Sequence, residues 1–294
     1  MHTKKNGSVR GIKRFKCLDC SYSFRQKRTS KIIPNISELL VVKKQTYKEI
    51  SKELNISIST IQRYIDEIPL KNPVIPPPYS CVLGMDCTFL GKGLGLLLIR
   101  DPNRRYNINW VYIETETNIA YLREIHKLIQ LGYKIKGFVI DSRSGLAQSL
   151  SHIAPVQICQ FHQQKIVYKY TTKKPRLEAG KELKEIADIL PKLQSQIFDL
   201  LLSRWYVRWK IFLRERTYQE DGIHWEYTHD RLRSAYYSLK RNRQYLFTYQ
   251  TYKDIPNTNN SLEGSFSYLK KKLNIHTGMR IERKIKVINH HLSS

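Results

Sequence analysis

Cys-Val-Leu-Gly-Met-Asp (81–86) is an apolar run that ends on an acid, and Gly-Phe-Val-Ile-Asp (137–141) does the same 55 residues later. Each reads as a strand that delivers an aspartate to its end. The flanking sequence supplies the order of elements. Residues 81–90, 94–100 and 106–115 read as three strands, joined by turns at Gly91-Lys-Gly93 and Asp101-Pro-Asn103, in an antiparallel meander. Residues 118–131 then read as a helix with Ile119, Leu122, Ile125 and Ile129 on one face. A fourth strand (135–141), a short helix (144–153) and a fifth strand (155–161) follow. This order predicts a mixed α/β sheet flanked by helices, with the first and fourth strands adjacent. Asp86 and Asp141 would then be neighbours.

A third acid completes the set. Thr-Asn-Asn-Ser-Leu-Glu-Gly-Ser-Phe-Ser-Tyr-Leu-Lys-Lys (258–271) reads as a helix start carrying Glu263. Two strand-end aspartates and one helical glutamate can converge on a divalent metal. Mg²⁺ is a hard cation that prefers oxygen ligands. Two such ions about 3.5–4 Å apart clamp the attacking and leaving oxygens of an in-line displacement at phosphorus. Taken singly, each acid has a plainer reading as a strand-end turn residue.

The charge balance points to the substrate. The chain has 51 Lys+Arg against 25 Asp+Glu, a formal charge of +26. That exceeds what solubility requires and favours phosphate polyanions. No apolar run is long enough to span a bilayer, and the first thirty residues are polar and basic. No membrane partner is expected, and the location expected is cytoplasmic, with the nucleoid. Five cysteines, at 17, 20, 81, 87 and 159, form an odd set that suits reduced thiols.

Several smaller segments surround the acids. Residues 1–30 are basic and carry Cys17-Leu-Asp-Cys20, one knuckle of a zinc ribbon. A closed Zn²⁺ site needs four ligands, and His2 is the sole further candidate nearby. In the segment 36–68, Ile50 and Leu54 are followed by a break at Asn55, then Ser57 as the cap of a second helix with Ile61 and Ile65. This is a helix-turn-helix pattern, with Ser57, Ser59, Thr60, Gln62 and Arg63 toward a DNA groove. An ordinary helical hairpin is the alternative. A Pro-rich linker, 72–80, marks the main boundary.

From 163 to 250 the pattern reads as all-helical: Leu183, Ile186, Ile189, Leu193, Ile197 and Leu200, then Trp205, Tyr206, Trp209 and Phe212. Trp205 and Trp209 read as core. A basic stretch holds Arg231, Arg233, Lys240, Arg241 and Arg243, interleaved with Tyr236, Tyr237 and Tyr245. It could track a phosphate backbone with its aromatics stacked on bases, or the tyrosines could be core. His126, His290 and His291 read as surface residues, and 280–292 as a basic amphipathic tail.

The motifs together resemble the Mutator-type DDE transposases of bacterial insertion sequences. Cys159-Gln-Phe-His162 is similar to the Cys-x-x-His signature that follows the second Asp there. Asn257-Thr-Asn-Asn-Ser-Leu-Glu263 and His276-Thr-Gly278 are similar to the words around the family's Glu. Residues 5–24 resemble the second half of the zinc ribbon that opens many such proteins, where another Cys-x-x-Cys precedes it. The resemblance implies a ribonuclease-H-like fold, split into a first part (81–165), a helical insertion (166–255) and a last part with the Glu helix (256–294). It implies Asp86, Asp141 and Glu263 as catalytic metal ligands, with Mg²⁺ or Mn²⁺ as cofactor. The implied activity is DNA strand cleavage and strand transfer at element ends. Terminal repeats and target DNA would be the partners of a homodimer or higher oligomer. Arg233, Arg241 and Arg243 would contact that DNA near the acids. Cys159 and His162 read either as half a metal site or as a buried Cys beside a hydrogen-bonding His. An inactive or truncated remnant that only binds DNA is the alternative function, and metal-dependent strand transfer separates the two.

Overall fold

Two compact units make up the chain, Met1–Pro69 and Leu70–Ser294. The computed structural model describes residues 2–9, 12–25, 36, 38–40, 43, 45–70, 73–276 and 278–293. Residues 1, 10–11 and 26–30 of the ribbon-like segment, 37, 41–42 and 44 of the helical one, residue 72 of the linker, and Thr277 and Ser294 of the last part lie outside these.

In the first unit, β1 (Thr3–Val9), β2 (Ile12–Cys17) and β3 (Ser23–Arg25) form an antiparallel sheet in that order. Cys17 is buried and Cys20 exposed. Among the described residues neither belongs to a group of three or more metal-ligating side chains. Two helices follow, α1 (Tyr47–Leu54) and α2 (Ile58–Glu67). A capping box starts α1: Glu49 N donates to Thr46 Oγ1 at 3.2 Å, and Thr46 N donates to Glu49 Oε2 at 2.6 Å. Asn55, at φ 52°, ends it in the left-handed conformation that asparagine tolerates. Ser57 Oγ then accepts from Thr60 N at 3.1 Å and opens α2, as its position in the sequence suggests. Ile50, Ile61 and Ile65 are buried.

The second unit is built on a five-stranded mixed sheet. Its strands are β4 (Ser80–Phe89), β5 (Gly95–Asp101), β6 (Tyr106–Ile113), β7 (Lys134–Ile140) and β8 (Val156–Ile158), in the order β6-β5-β4-β7-β8. The meander pairs antiparallel, while β4–β7 and β7–β8 pair parallel. Parallel pairing needs a crossover, which α3 (Asn118–Gln130) and α4 (Leu146–Ser151) supply. Strand alternation sorts side chains between the two faces. Leu83, Met85, Phe138 and Ile140 enter one large core together with Tyr121, Ile125 and Leu128 of α3. Val82 and Val139 face the other way, into a small cluster with Cys159 and Ile255.

Helices α5 (Gln160–Thr171), α6 (Glu178–Ile189), α7 (Ser195–Trp209), α8 (Asp230–Leu246) and α9 (Thr248–Thr251) extend the large core. The chain then returns through α10 (Asn260–Asn274) and α11 (Ile281–Leu292). Asn289 of α11 fastens that return to β6: Trp110 Nε1 donates to its Oδ1 at 2.9 Å and Tyr112 Oη at 2.6 Å.

Four expectations need correction. The 166–255 segment is not all-helical: β9 (Arg216–Tyr218) and β10 (Trp225–Tyr227) pair antiparallel within it. Three-residue strands are too short to leave an alternation pattern, and the turn at Gly222 (φ 67°) is the one local cue. The apolar series from Leu183 to Leu200 is not one face either. Pro191 interrupts it, and Ile189, Ile197 and Leu200 are exposed while Phe198, Leu202 and Trp205 turn inward. On α3 the buried face is Tyr121, Ile125 and Leu128; Ile119 is 68% exposed. His290 and His291 are half-buried, because α11 packs on the sheet edge rather than trailing into solvent.

Gly137 admits Ile255 to the sheet face: a Cβ there would lie 2.3 Å from Ile255 Cδ1. Gly137→Ala should therefore destabilise by about 1–3 kcal/mol. Urea unfolding of Gly137→Ala in an Ile255→Val background should recover part of that loss. No recovery would mean that the Gly137–Ile255 approach does not limit packing.

Candidate metal centre

Asp86 lies on the same face of β4 as Val82 and Gly84, by the two-residue alternation of a strand. The parallel register sets Gly84 beside Val139. Two residues further on, Asp86 comes level with Asp141 at the end of β7. Adjacent strands lie about 4.8 Å apart, so both aspartates reach one end of one face.

Glu263 reaches that face from the far end of the chain, in the first turn of α10. Three contacts aim it. Asn259 is buried; its N–H donates to Cys159 Sγ at 3.2 Å and its Nδ2 to Met85 O at 3.3 Å. Gln160 N donates to Asn257 O at 3.0 Å, and Asn257 Nδ2 returns a bond to Gln160 Oε1 at 3.0 Å. Gly84 leaves the space, since a Cβ there would stand 2.6 Å from Asn259 Oδ1.

The resulting constellation joins Asp86, His162 and Glu263, with ligand atoms all within 4.8 Å of one another. Glu263 forms an ion pair with His162, and Lys165 Nζ lies 3.2 Å from Glu263 Oε1. Asp141 is outside this group. Its Oδ1 accepts from Arg143 N at 2.9 Å, and Arg143 Nε is anchored to Asn118 Oδ1 at 2.6 Å.

The electrostatics distinguish the members. Burial pushes the Asp86 carboxyl up to about 7; the imidazolium of His162 works against that shift, and the charges of Asp141 and Glu263 add to it. A hydrogen bond from His162, with help from Lys165, takes Glu263 down to about 2. Burial opposes charge on His162, yet its bonds to Cys159 and Glu263 outweigh that and raise it to about 10. Asp86 lies inside β4, paired with Leu98, and not at the strand end that the sequence suggests. Acids crowded there, held by protein cations, suit a divalent cation: the two carboxylates are hard oxygen donors, and a neutral imidazole is a common third ligand for the softer divalent ions.

The sequence leaves Cys159 and His162 as half a metal site or as a buried Cys beside a hydrogen-bonding His; Cys159 is buried and accepts from Asn259 N, and His162 pairs with Glu263. The fifth strand was expected to run to 161, but β8 stops at Ile158 and α5 begins at Gln160. Gln160 N bonds to Asn257 rather than to a strand partner. That early turn puts His162 in the first turn of a helix aimed at Glu263.

The basic stretch divides. Arg233 and Arg241, two turns apart on α8, line a cleft of about 520 Å³ with Ser142, Lys169, Tyr227 and Tyr237. Arg233 lies 3.5 Å over the Tyr227 ring and donates to Leu213 O at 2.7 Å. Arg243 does not share that face. Two residues turn a helix by about 200°, and Arg243 is tied to Asp199 instead. Arg231 donates to Lys169 O at 2.6 Å. Tyr236 is core, stacked on Trp205 and Tyr206. In the other unit, Ser57 caps α2, Ser59 and Thr60 lie in its first turn, and Gln62 and Arg63 lie in its middle.

No protein-family model matches the chain, and no curated protein matches it. Among solved structures, the "Drosophila P element transposase strand transfer complex" superposes with a TM-score of 0.33 at 12% identity, covering 90% of this chain and 80% of that chain.

Asn259 and Gly84 should be coupled. Gly84→Ala should cost about 1–3 kcal/mol by displacing the buried amide from Met85 O. In an Asn259→Ala background the same change should cost less than half as much. Equal costs in a double-mutant cycle would show that the two residues do not act on each other.

Proposed function

We propose that the chain is a DNA transposase of the DDE type. It binds element ends and uses a metal-dependent site of Asp86, Asp141 and Glu263 for strand cleavage and strand transfer. The observation that carries this is the meeting of Asp86 and Glu263 on one sheet face, 177 residues apart in sequence, in a chain of charge +26. The strand order, with the first and fourth strands parallel neighbours, also supports the ribonuclease-H-like reading.

In this reading Asp86, Asp141 and Glu263 hold Mg²⁺ or Mn²⁺. Such a metal, when bound, would supply Lewis-acid stabilisation of charge at phosphorus and a more acidic water. Burial keeps the Asp86 carboxylate short of water and so favours a cation beside it. His162 and Lys165 occupy Glu263 in its absence, holding the carboxylate ionised and in place. Asn259 and Cys159 set the approach of α10 to β4. Lys169, Arg233 and Arg241 bring positive charge to the cleft next to Ser142, where a strand leaving the acids would run. Residues 36–68 act as a helix-turn-helix with Gln62 and Arg63 toward base edges. Among the described residues no helix is long and apolar enough to cross a membrane.

Asp86→Asn, Asp141→Asn and Glu263→Gln should each lower metal-dependent cleavage of terminal-repeat DNA by about 10³-fold or more and spare DNA binding. Full cleavage by Glu263→Gln would remove the enzymatic reading, whereas binding without cleavage by the parent chain would favour a DNA-binding remnant. In the full chain, Gln62→Ala and Arg63→Ala should each weaken binding to element ends by roughly 1–3 kcal/mol while leaving unrelated DNA nearly unaffected. Uniform weakening on all DNA, measured by anisotropy, would assign those residues to phosphates instead.

A further inference from the structure

Ser261 and Ser265 sit two residues either side of Glu263, about 200° round α10, so they face away from the acids. There they line a separate cavity of about 530 Å³, together with Arg100, Arg105, Tyr106 and His291. No aspartate or glutamate lines it. Arg100 donates from Nη1 to Asn107 Oδ1 at 2.8 Å and from Nη2 to Arg105 O at 2.5 Å. Its Nε and the Ser261 hydroxyl are buried with no hydrogen-bond partner. Behind the cavity wall, Lys272 is only 4% exposed; its Nζ lies 3.5 Å from His291 Nδ1 and 4.3 Å from the centre of the Tyr268 ring. Among the described residues no carboxylate pairs with Arg100, Arg105 or Lys272. Burial, with the charges of Lys272, His290 and Arg100, holds His291 down at about 4. Gathering cations in a partly buried site without a counter-charge is costly unless an anion completes it.

The chemistry of the lining selects the anion. Guanidinium groups suit the planar spread of phosphate oxygens. Ser261, Ser265 and Tyr268 add hydroxyls, and Tyr106, half-exposed at the rim, offers a ring on which a base can stack. We propose that this cavity is a second polyanion site, which takes the phosphate of a nucleotide unit between Arg100 and Arg105, with its base against Tyr106. The site is distinct from the acids, and it would bind whether or not they cut.

The test uses the full chain without divalent metal, titrated with a labelled trinucleotide, with dAMP and with inorganic phosphate. The variants are Arg105→Glu, which reverses an exposed charge, and Ser265→Asp, which adds a carboxylate to the lining. Each should weaken binding of the trinucleotide or dAMP roughly tenfold or more, the scale of one charged hydrogen bond, with an unchanged melting midpoint. Loss confined to the trinucleotide assigns the phosphate to a strand; loss that includes dAMP assigns it to a nucleotide, free or within a strand. Unchanged affinity for both in both variants overturns the proposal, as does an effect limited to inorganic phosphate. Binding is read without metal and without cleavage, so failure of this site and failure of the catalytic reading are told apart.

Discussion

A buried asparagine over a glycine joins the two ends of the second unit. Asn259 sits against Gly84, bonds to Met85 O and takes Cys159 Sγ as acceptor for its N–H. Every side chain larger than glycine at 84 would push that amide away from β4. The same approach continues at Ile255, which fills the space that Gly137 leaves open. The small cluster of Val82, Val139, Cys159 and Ile255 is thus the seam along which the last part of the chain docks on the sheet. Burying Ile255 there contributes about 1.5–3 kcal/mol, so the seam is energetically modest and sterically demanding. Glu263 is one helical turn past Asn259, and its distance from Asp86 follows from how well the seam closes.

Charge then acts within that geometry. Asp86 is buried and held toward its neutral form, while Glu263 is kept ionised by His162 and Lys165. Two carboxylates a few ångströms apart repel, and the protein offsets the repulsion with its own cations. A divalent ion at this point would compete with His162 and Lys165 for Glu263. The arrangement therefore keeps Glu263 ionised beside a largely neutral Asp86.

The helical part is tied to the sheet by buried amides rather than by apolar packing alone. Gln157 and Gln160 both donate to Leu246 O, at 2.9 Å each, and close the C-terminal end of α8. Gln163 donates to Ser238 Oγ at 2.9 Å and accepts from Asn242 Nδ2 at 2.7 Å. Such bonds specify register between α5 and α8, because a shift by one residue would leave the amides unpaired. The α5 that presents His162 to Glu263 is the same helix that these glutamines lock in place.

The local patterns were legible in the amino-acid sequence. The strand that ends at Asp141, the break at Asn55, the cap at Ser57 and the meander turns depend on neighbours a few residues away, and the structure has them where the pattern places them, whereas pairing with β5 carries β4 three residues past Asp86. Strand order carried the adjacency of β4 and β7, because few topologies accommodate those elements. Tertiary structure alone decided what depends on partners distant in sequence. It stopped β8 at Ile158, because Gln160 bonds to Asn257; it joined His162 to Glu263 and left Asp141 outside that group; and it divided the arginines of α8 between a cleft and Asp199. Periodicity reports which face of an element is apolar, but a side chain's charge, partner and role are set by whatever the fold brings against it, and that depends on residues about a hundred positions away.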